Sequence, residues 1–154
     1  MIYEVRTYIL RPGAVAAFEE RFAQRLALRE KHSKLGAFWH TEVGPLNQVI
    51  HVYPYEDLQH RTTVRDALVQ DAARAQIPGG RECVVAQEAE IMTPAPFMRP
   101  LGSRDYGPGN IYEMRTYTFV PGDLPKVLEG WGKAIEARDS SRPWRPAGRA
   151  SWAG

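Results

Sequence analysis

Apolar and polar residues near the N-terminus follow first a strand period and then a helix period. Residues 2–10 alternate with the two-residue period of a half-buried β-strand, and Pro12-Gly13 ends the run. The next apolar residues are spaced three or four positions apart, as on one face of a helix: Val15, Phe18, Phe22 and Leu26. The pattern therefore predicts a strand, a turn and an amphipathic helix.

A hairpin, a second helix and a fourth strand are predicted from the residues that follow. Two β-branched and aromatic runs, 36–43 and 48–53, flank Gly44-Pro45-Leu46-Asn47, a sequence typical of a turn. Asp57 can cap the second helix, and residues 83–92 are predicted as the last strand. The order βαββαβ is that of the ferredoxin-like α+β fold, in which a four-stranded antiparallel sheet carries both helices on one face.

The first strand and its turn are repeated 109 positions downstream. Residues 2–13 and 111–122 are identical at eight of twelve positions. The second copy continues with apolar residues at helical spacing: Leu124, Val127, Leu128, Trp131 and Ile135. A repeat at this distance indicates duplication of a module of roughly 100 residues.

The second repeat lacks the rest of the fold. We divide the chain into a complete module, 1–92, a Pro-rich linker, 93–109, and the strand and helix of a second repeat, 110–138. Residues 139–154 contain no Ile, Leu, Val, Met or Phe and are predicted to be a disordered tail. A shifted reading frame would explain the abrupt loss of pattern, and a natural short variant would explain it equally.

Composition and charge exclude several classes of protein. A hydrophobic content of 44% is ordinary for a globular domain, and a net charge of +2 does not call for a nucleic-acid partner. Cys83 is the only cysteine, so no internal disulfide can form, which fits a cytoplasmic location. No apolar run is long enough for a membrane span, and no phosphate-binding or serine-hydrolase motif occurs.

Three segments together resemble the NIPSNAP family: IYEVRTY, REKHSKLGAFW and TEVGPLNQVIHVYPYEDL, within residues 2–58. The resemblance implies a module of the dimeric α/β-barrel type. In that arrangement the helix-free sheet face pairs with a second sheet, supplied by another subunit or by a repeat. We therefore expect a homodimer, with Val49 at the interface.

The resemblance does not define a reaction, and three functions remain open. The first is small-ligand binding or assembly through the barrel of paired sheets. The second is a cofactor-independent monooxygenase or isomerase, which rests on analogy with similar barrels. The third is a purely structural dimerisation module. No cofactor is expected in any of them.

Five polar residues are predicted to share one sheet face, which we expect to line the barrel. Glu4, Arg6 and Tyr8 alternate along the first strand, and His51 and Tyr53 lie on the adjacent third strand. The arginine could bind an anionic or carbonyl group, while the histidine or Tyr8 transfers a proton. Glu4 could position the arginine or act as a base. The alternative is a simple ion pair between Glu4 and Arg6 among core aromatics.

A metal site is a further hypothesis for this face. If Val43 opposes Gln48 in the hairpin, His40 lies opposite His51, with Glu42 nearby. Two histidines and a carboxylate can hold a transition metal. No recognised metal-binding spacing accompanies these residues, so the hypothesis depends entirely on the hairpin register.

Overall fold

The structure is a computed structural model that describes residues 1–101 and 110–141. Its elements are β1 (Ile2–Leu10), α1 (Val15–His32), β2 (Ala37–His40), β3 (Gln48–Tyr55), α2 (Leu58–Gln70), β4 (Val84–Met92) and α3 (Leu124–Ser141). The strands form one antiparallel sheet in the order β2-β3-β1-β4, which confirms the predicted ferredoxin-like α+β fold. Within the described residues, no helix is long and apolar enough to cross a bilayer.

Local sequence determines where several elements begin and end. Gly13 follows β1 with φ of 78°, a left-handed conformation that glycine adopts without steric cost. Asp57 accepts a hydrogen bond from the backbone N–H of His60 at 2.8 Å and so caps α2. Both features were predicted from the sequence, because turn glycines and N-cap aspartates have strong local preferences.

The hairpin register differs from the predicted one by two residues. His40 pairs with Val49, and Phe38 pairs with His51. The Thr41 N–H donates to the Gln48 carbonyl at 3.0 Å, so six residues, not four, form the loop. The last residue of this loop, Asn47, adopts a left-handed backbone conformation. Its carbonyl accepts a hydrogen bond from the Leu10 N–H at 2.8 Å. A two-residue shift preserves the assignment of each side chain to a face.

The face carrying the five predicted polar residues lies under the helices, so the expectation that it lines a barrel was wrong. The core of this face joins the sheet to α1 and α2 and contains Leu10, Phe18, Phe38, Val49, Tyr53, Tyr55 and Val64. Val49 is fully buried there and cannot contribute to an interface. The helices cover this face because α2 brings arginines to the buried carboxylate of Glu4 and α1 brings its apolar side.

The opposite face of the sheet is partly covered by the segment predicted as a linker. Tyr3, Ala37 and Val52 are buried there, with Met98 and Leu101 packed against them. Residues 93–101 therefore contribute to the packing of the first module. Residues 102–109 of the predicted linker lie outside the described residues.

The second repeat forms its helix but not its strand. Residues 110–120 belong to no helix or strand, contrary to the prediction, and Ile111 is 98% exposed. In the first module this sequence forms the strand between β3 and β4, and that position is already occupied by β1. Helix α3 extends to Ser141, three residues past the predicted boundary, and residues 142–154 of the predicted tail lie outside the described residues.

Candidate functional site

A cavity of about 610 Å³ lies between the sheet and helices α1 and α2. Its aromatic lining comes from Tyr8, Phe18, Phe22 and Tyr53, with His51 among them. Within the described residues, its charged lining consists of arginines, without Asp or Glu: Arg6, Arg25, Arg29, Arg65, Arg74 and Arg81. The cavity therefore combines aromatic walls with a strongly cationic lining.

The structure brings the five predicted site residues together. Arg6 and His51 are directly paired across β1 and β3, as are Glu4 and Tyr53. Arg6, Tyr8, His51 and Tyr53 line the cavity, whereas Glu4 is fully buried beside it. The alternation along the strands correctly predicted that these residues share one face of the sheet. The prediction that this face is the helix-free one was wrong.

Glu4 is held by three arginines. Its carboxylate accepts hydrogen bonds from Arg6 at 3.2 Å, from Arg61 at 2.5 Å and from Arg65 at 3.4 Å. Burial acts to raise the pKa of this carboxyl, but the hydrogen bond from Arg61 and the charges of the three arginines outweigh it and lower the pKa. One anion among three cations leaves net positive charge beside the cavity.

Arg61 and Arg65 were not predicted as site residues. They are four positions apart and therefore lie on one face of α2, a spacing that the sequence does contain. Arginines at this spacing are usually exposed to solvent, and no sequence pattern indicated that a buried carboxylate faced them. The predicted pairing of Glu4 with Arg6 is observed, as part of this larger cluster.

His51 is buried, and in the part of the chain that the structure describes neither ring nitrogen has a hydrogen-bond partner. Its ring makes an edge contact with Tyr8, at 4.9 Å between centroids, and another with Tyr53, at 5.6 Å. Burial, followed by the charges of Arg6, Arg29 and Arg65, lowers the pKa of His51 to about 3. The imidazole is therefore neutral at physiological pH, with one donor and one acceptor unused.

Arg29 is a second site residue that the sequence analysis missed. Its guanidinium carbon lies 4.0 Å from the ring centre of Tyr53, and its Nη2 donates to the Tyr55 hydroxyl at 2.7 Å. Its Nη1 is buried without a partner. Arg29 continues the apolar spacing of α1, three residues after Leu26, and this is the signal that could have identified it as facing the sheet.

A segment that we call the strap, residues 71–83, runs across one side of the cavity and is attached to α1. Arg25 donates from Nε to the Ile77 carbonyl at 2.8 Å and from Nη2 to the Arg74 carbonyl at 3.2 Å. His32 contacts Asp71 at 3.0 Å at one end, and Arg21 pairs with Glu82 at the other. Because Arg74 and Arg81 of the strap line the cavity, these attachments help to shape its mouth.

The residues of the metal hypothesis are not brought together. His40 lies on the edge strand, with its ring nitrogens 2.6 Å from Glu19 and 2.8 Å from Glu42. The hydrogen bond with Glu19 is the main cause that raises the pKa of His40. His51 pairs with Phe38, not with His40, and its ring nitrogens form no hydrogen bond to this group. Residues 1–101 and 110–141 contain no group of three His, Cys, Asp or Glu arranged to hold a metal.

The fold and the cavity define an α+β protein of the ferredoxin-like class with a cationic chamber between its sheet and helices. Residues 3–99 match the sequence model of the family described as NIPSNAP. The chain belongs to the NIPSNAP family, as the resemblance of its first module predicted.

Relatives with matching sequence include Protein NipSnap homolog 3A of Homo sapiens, which is 33% identical over 141 residues, 89% of this chain and 56% of that protein. Protein NipSnap homolog 3B of Mus musculus is 34% identical over 138 residues, 87% of this chain and 53% of that protein. The chain thus spans about half the length of the curated relatives it matches.

Solved structures of similar fold come from bacteria. A NIPSNAP family protein with unknown function from Agrobacterium tumefaciens has a TM-score of 0.62 at 29% identity, covering 66% of this chain and 94% of that one. An uncharacterized NIPSNAP-like domain protein from Burkholderia xenovorans has a TM-score of 0.60 at 30% identity, covering 65% and 90%. The fold is therefore shared with crystal structures of other family members.

Proposed function

We propose that this protein binds a small organic anion in the cavity between its sheet and helices. The observation that carries the proposal is the lining, which among the described residues has six arginines and no carboxylate around an aromatic interior. Arginine is well suited to bind carboxylate and phosphate, since its planar donors match their geometry. A volume of about 610 Å³ is in the range of small-molecule sites.

Unused hydrogen-bond donors support the same proposal. Arg6 Nε and Arg29 Nη1 are buried without a partner, as are both nitrogens of His51. A buried donor without a partner costs free energy, on the order of 1–3 kcal/mol, which a bound acceptor would recover. These atoms all belong to residues that line one cavity, so a single ligand could satisfy several of them.

Calorimetry with benzoate tests this proposal, with benzyl alcohol as the uncharged analogue. We expect benzoate to bind and the alcohol to bind far more weakly. Arg6→Met and Arg29→Met should each weaken benzoate by about 10- to 100-fold, the usual cost of a lost charge-assisted hydrogen bond. Arg11→Met is the matched control, because Arg11 is exposed and does not line the cavity. Equal affinity in all four proteins would contradict the proposal.

A cofactor-independent enzyme is the second candidate, favoured by one observation. His51, a neutral imidazole with free nitrogens, shares the cavity with Arg6, so a proton acceptor and a cation face the same space. Turnover assays on any ligand found by calorimetry would decide between binding and catalysis. The purely structural alternative has less support, because the interior is hollow and charged, not filled by aromatic side chains.

We further propose that the protein assembles as a homodimer through the helix-free face of the sheet. Ile9, Trp39 and Ile50 are only partly buried on that face, and the Trp39 indole N–H is buried without a partner. An incompletely covered apolar face is typical of an interface. We also propose that the chain is divided into a module at 1–92 and a second repeat that begins at 110. A cytoplasmic location is proposed as well, and the free thiol of Cys83 is consistent with it.

A further inference from the structure

His51 is surrounded by cations from three elements. Arg6 of β1 is its partner across the strands, Arg29 approaches from α1, and Arg65 approaches from α2. Its other neighbours are aromatic rings: Tyr8 of β1, Phe22 of α1, Phe38 of β2 and Tyr53 of β3. The imidazole therefore has no carboxylate among these contacts that would stabilise its charged form.

The same arginines are the groups that an anion would bind. Arg6, Arg29 and Arg65 all line the cavity together with His51. Burial is the main cause that keeps the imidazole neutral, and the charges of these arginines add to it. An anion bound against them would cancel part of this positive charge. It would also place a negative charge close to the ring, and a charge at contact distance changes a pKa by roughly 1–3 units. Anion binding and protonation of His51 should therefore favour one another.

We propose that the cavity binds a small organic carboxylate together with one proton, and that His51 accepts this proton. The inference rests on the proposed function and adds the ligand class and the pH dependence. The event is an acid–base equilibrium without covalent change: solvent supplies the proton, and the imidazolium gains two N–H donors where the neutral ring had one. Affinity should rise as the pH falls, by up to about tenfold per pH unit where a full proton is taken up.

Calorimetry of benzoate binding in buffers with different ionisation enthalpies measures the protons taken up. A shift of roughly 1–3 units from about 3 puts the pKa of His51 in the complex at roughly 4–6. Between about pH 5 and 6.5, on the upper side of that range, the wild type should take up a fraction of a proton that increases as the pH falls. His51→Gln keeps hydrogen-bonding atoms but cannot be protonated, so its uptake should be zero. His40→Gln is the matched control, since His40 lies outside the cavity lining, and it should behave as the wild type does.

The outcomes separate the two proposals. Benzoate binding without proton uptake, or with equal uptake in His51→Gln, overturns this inference and leaves anion binding intact. If neither benzoate nor phenyl phosphate binds, both proposals fail. Uptake with phenyl phosphate but no binding of benzoate overturns the choice of carboxylate as the ligand class.

A second measurement needs neither the ligand nor a histidine variant. The imidazole resonances of His51, followed by NMR in a pH titration, should show a higher pKa in Arg29→Met than in the wild type, because a nearby cation is removed. Arg11→Met, distant from the cavity lining, should leave the titration unchanged. An unaltered His51 titration in Arg29→Met would overturn the electrostatic coupling on which the inference depends.

Discussion

At the scale of single residues, the low pKa of His51 makes stability depend on pH. The native pKa of about 3 lies below the ordinary value of 6.5, so between these limits the unfolded chain binds a proton that the native protein does not. The free energy of unfolding therefore decreases as the pH falls through this window. The contribution of neutral His51 to stability is fully present only above about pH 6.5. The loss should be on the order of 5 kcal/mol when it is complete, below about pH 3.

Urea denaturation at several pH values checks this prediction. Relative to His51→Phe, which has no titrating group at this position, the wild type should lose stability steadily below about pH 6.5. His40→Phe is a suitable control, because the pKa of His40 is raised and its contribution has the opposite sign. Parallel stability curves for the wild type and His51→Phe would contradict the buried, neutral state of this histidine.

At the scale of elements, two arginines one turn apart on α1 should differ in their effect on the strap. Arg25 donates to two backbone carbonyls of the strap, whereas Arg21 makes a surface ion pair with Glu82. Charge-assisted bonds to carbonyls contribute about 1.5–3 kcal/mol, and exposed ion pairs contribute about 0–1 kcal/mol.

Arg25→Met should therefore destabilise the protein more than Arg21→Met does. It should also speed amide hydrogen exchange across residues 72–80, because those carbonyls anchor the strap. Hydrogen exchange monitored by mass spectrometry on both variants gives the comparison. Equal protection of the strap in the two variants would show that Arg25 does not anchor it.

Sequence patterns predicted the strands and helices of the first module better than the way in which these elements pair and pack. The two-residue period along β1 grouped Glu4, Arg6 and Tyr8 correctly, because alternation is a property of one strand. Neither the loop length of the hairpin nor the sheet face that the helices cover could be deduced from alternation along one strand. The loop length depends on the hydrogen bond from the Thr41 N–H to the Gln48 carbonyl. The covered face depends on Arg61 of α2, which donates to Glu4 from a distant part of the chain.

At the scale of the whole molecule, the proposed dimer gives a direct prediction. Ile50 lies on the helix-free face, paired with Thr7 across β1 and β3. Ile50→Asp would place an unpaired charge in the interface and should convert the dimer to a monomer at micromolar concentrations. Light scattering measures the change. Leu58→Asp is the control, because Leu58 is 58% exposed at the start of α2, and this variant should remain dimeric. A wild-type monomer at every concentration would contradict the proposal.

The sequence of β1, which carries Glu4, Arg6 and Tyr8 of the candidate site, is repeated at residues 111–119. Glu113, Arg115 and Tyr117 repeat Glu4, Arg6 and Tyr8, and the pair from Arg115 to Glu113 is already formed at 2.8 Å. The sheet has one position between β3 and β4, and the chain has two segments whose sequence suits it. Residues 111–119 could therefore take the place of β1 in a neighbouring molecule that lacked it. They would supply the same carboxylate, guanidinium and phenol in the same order.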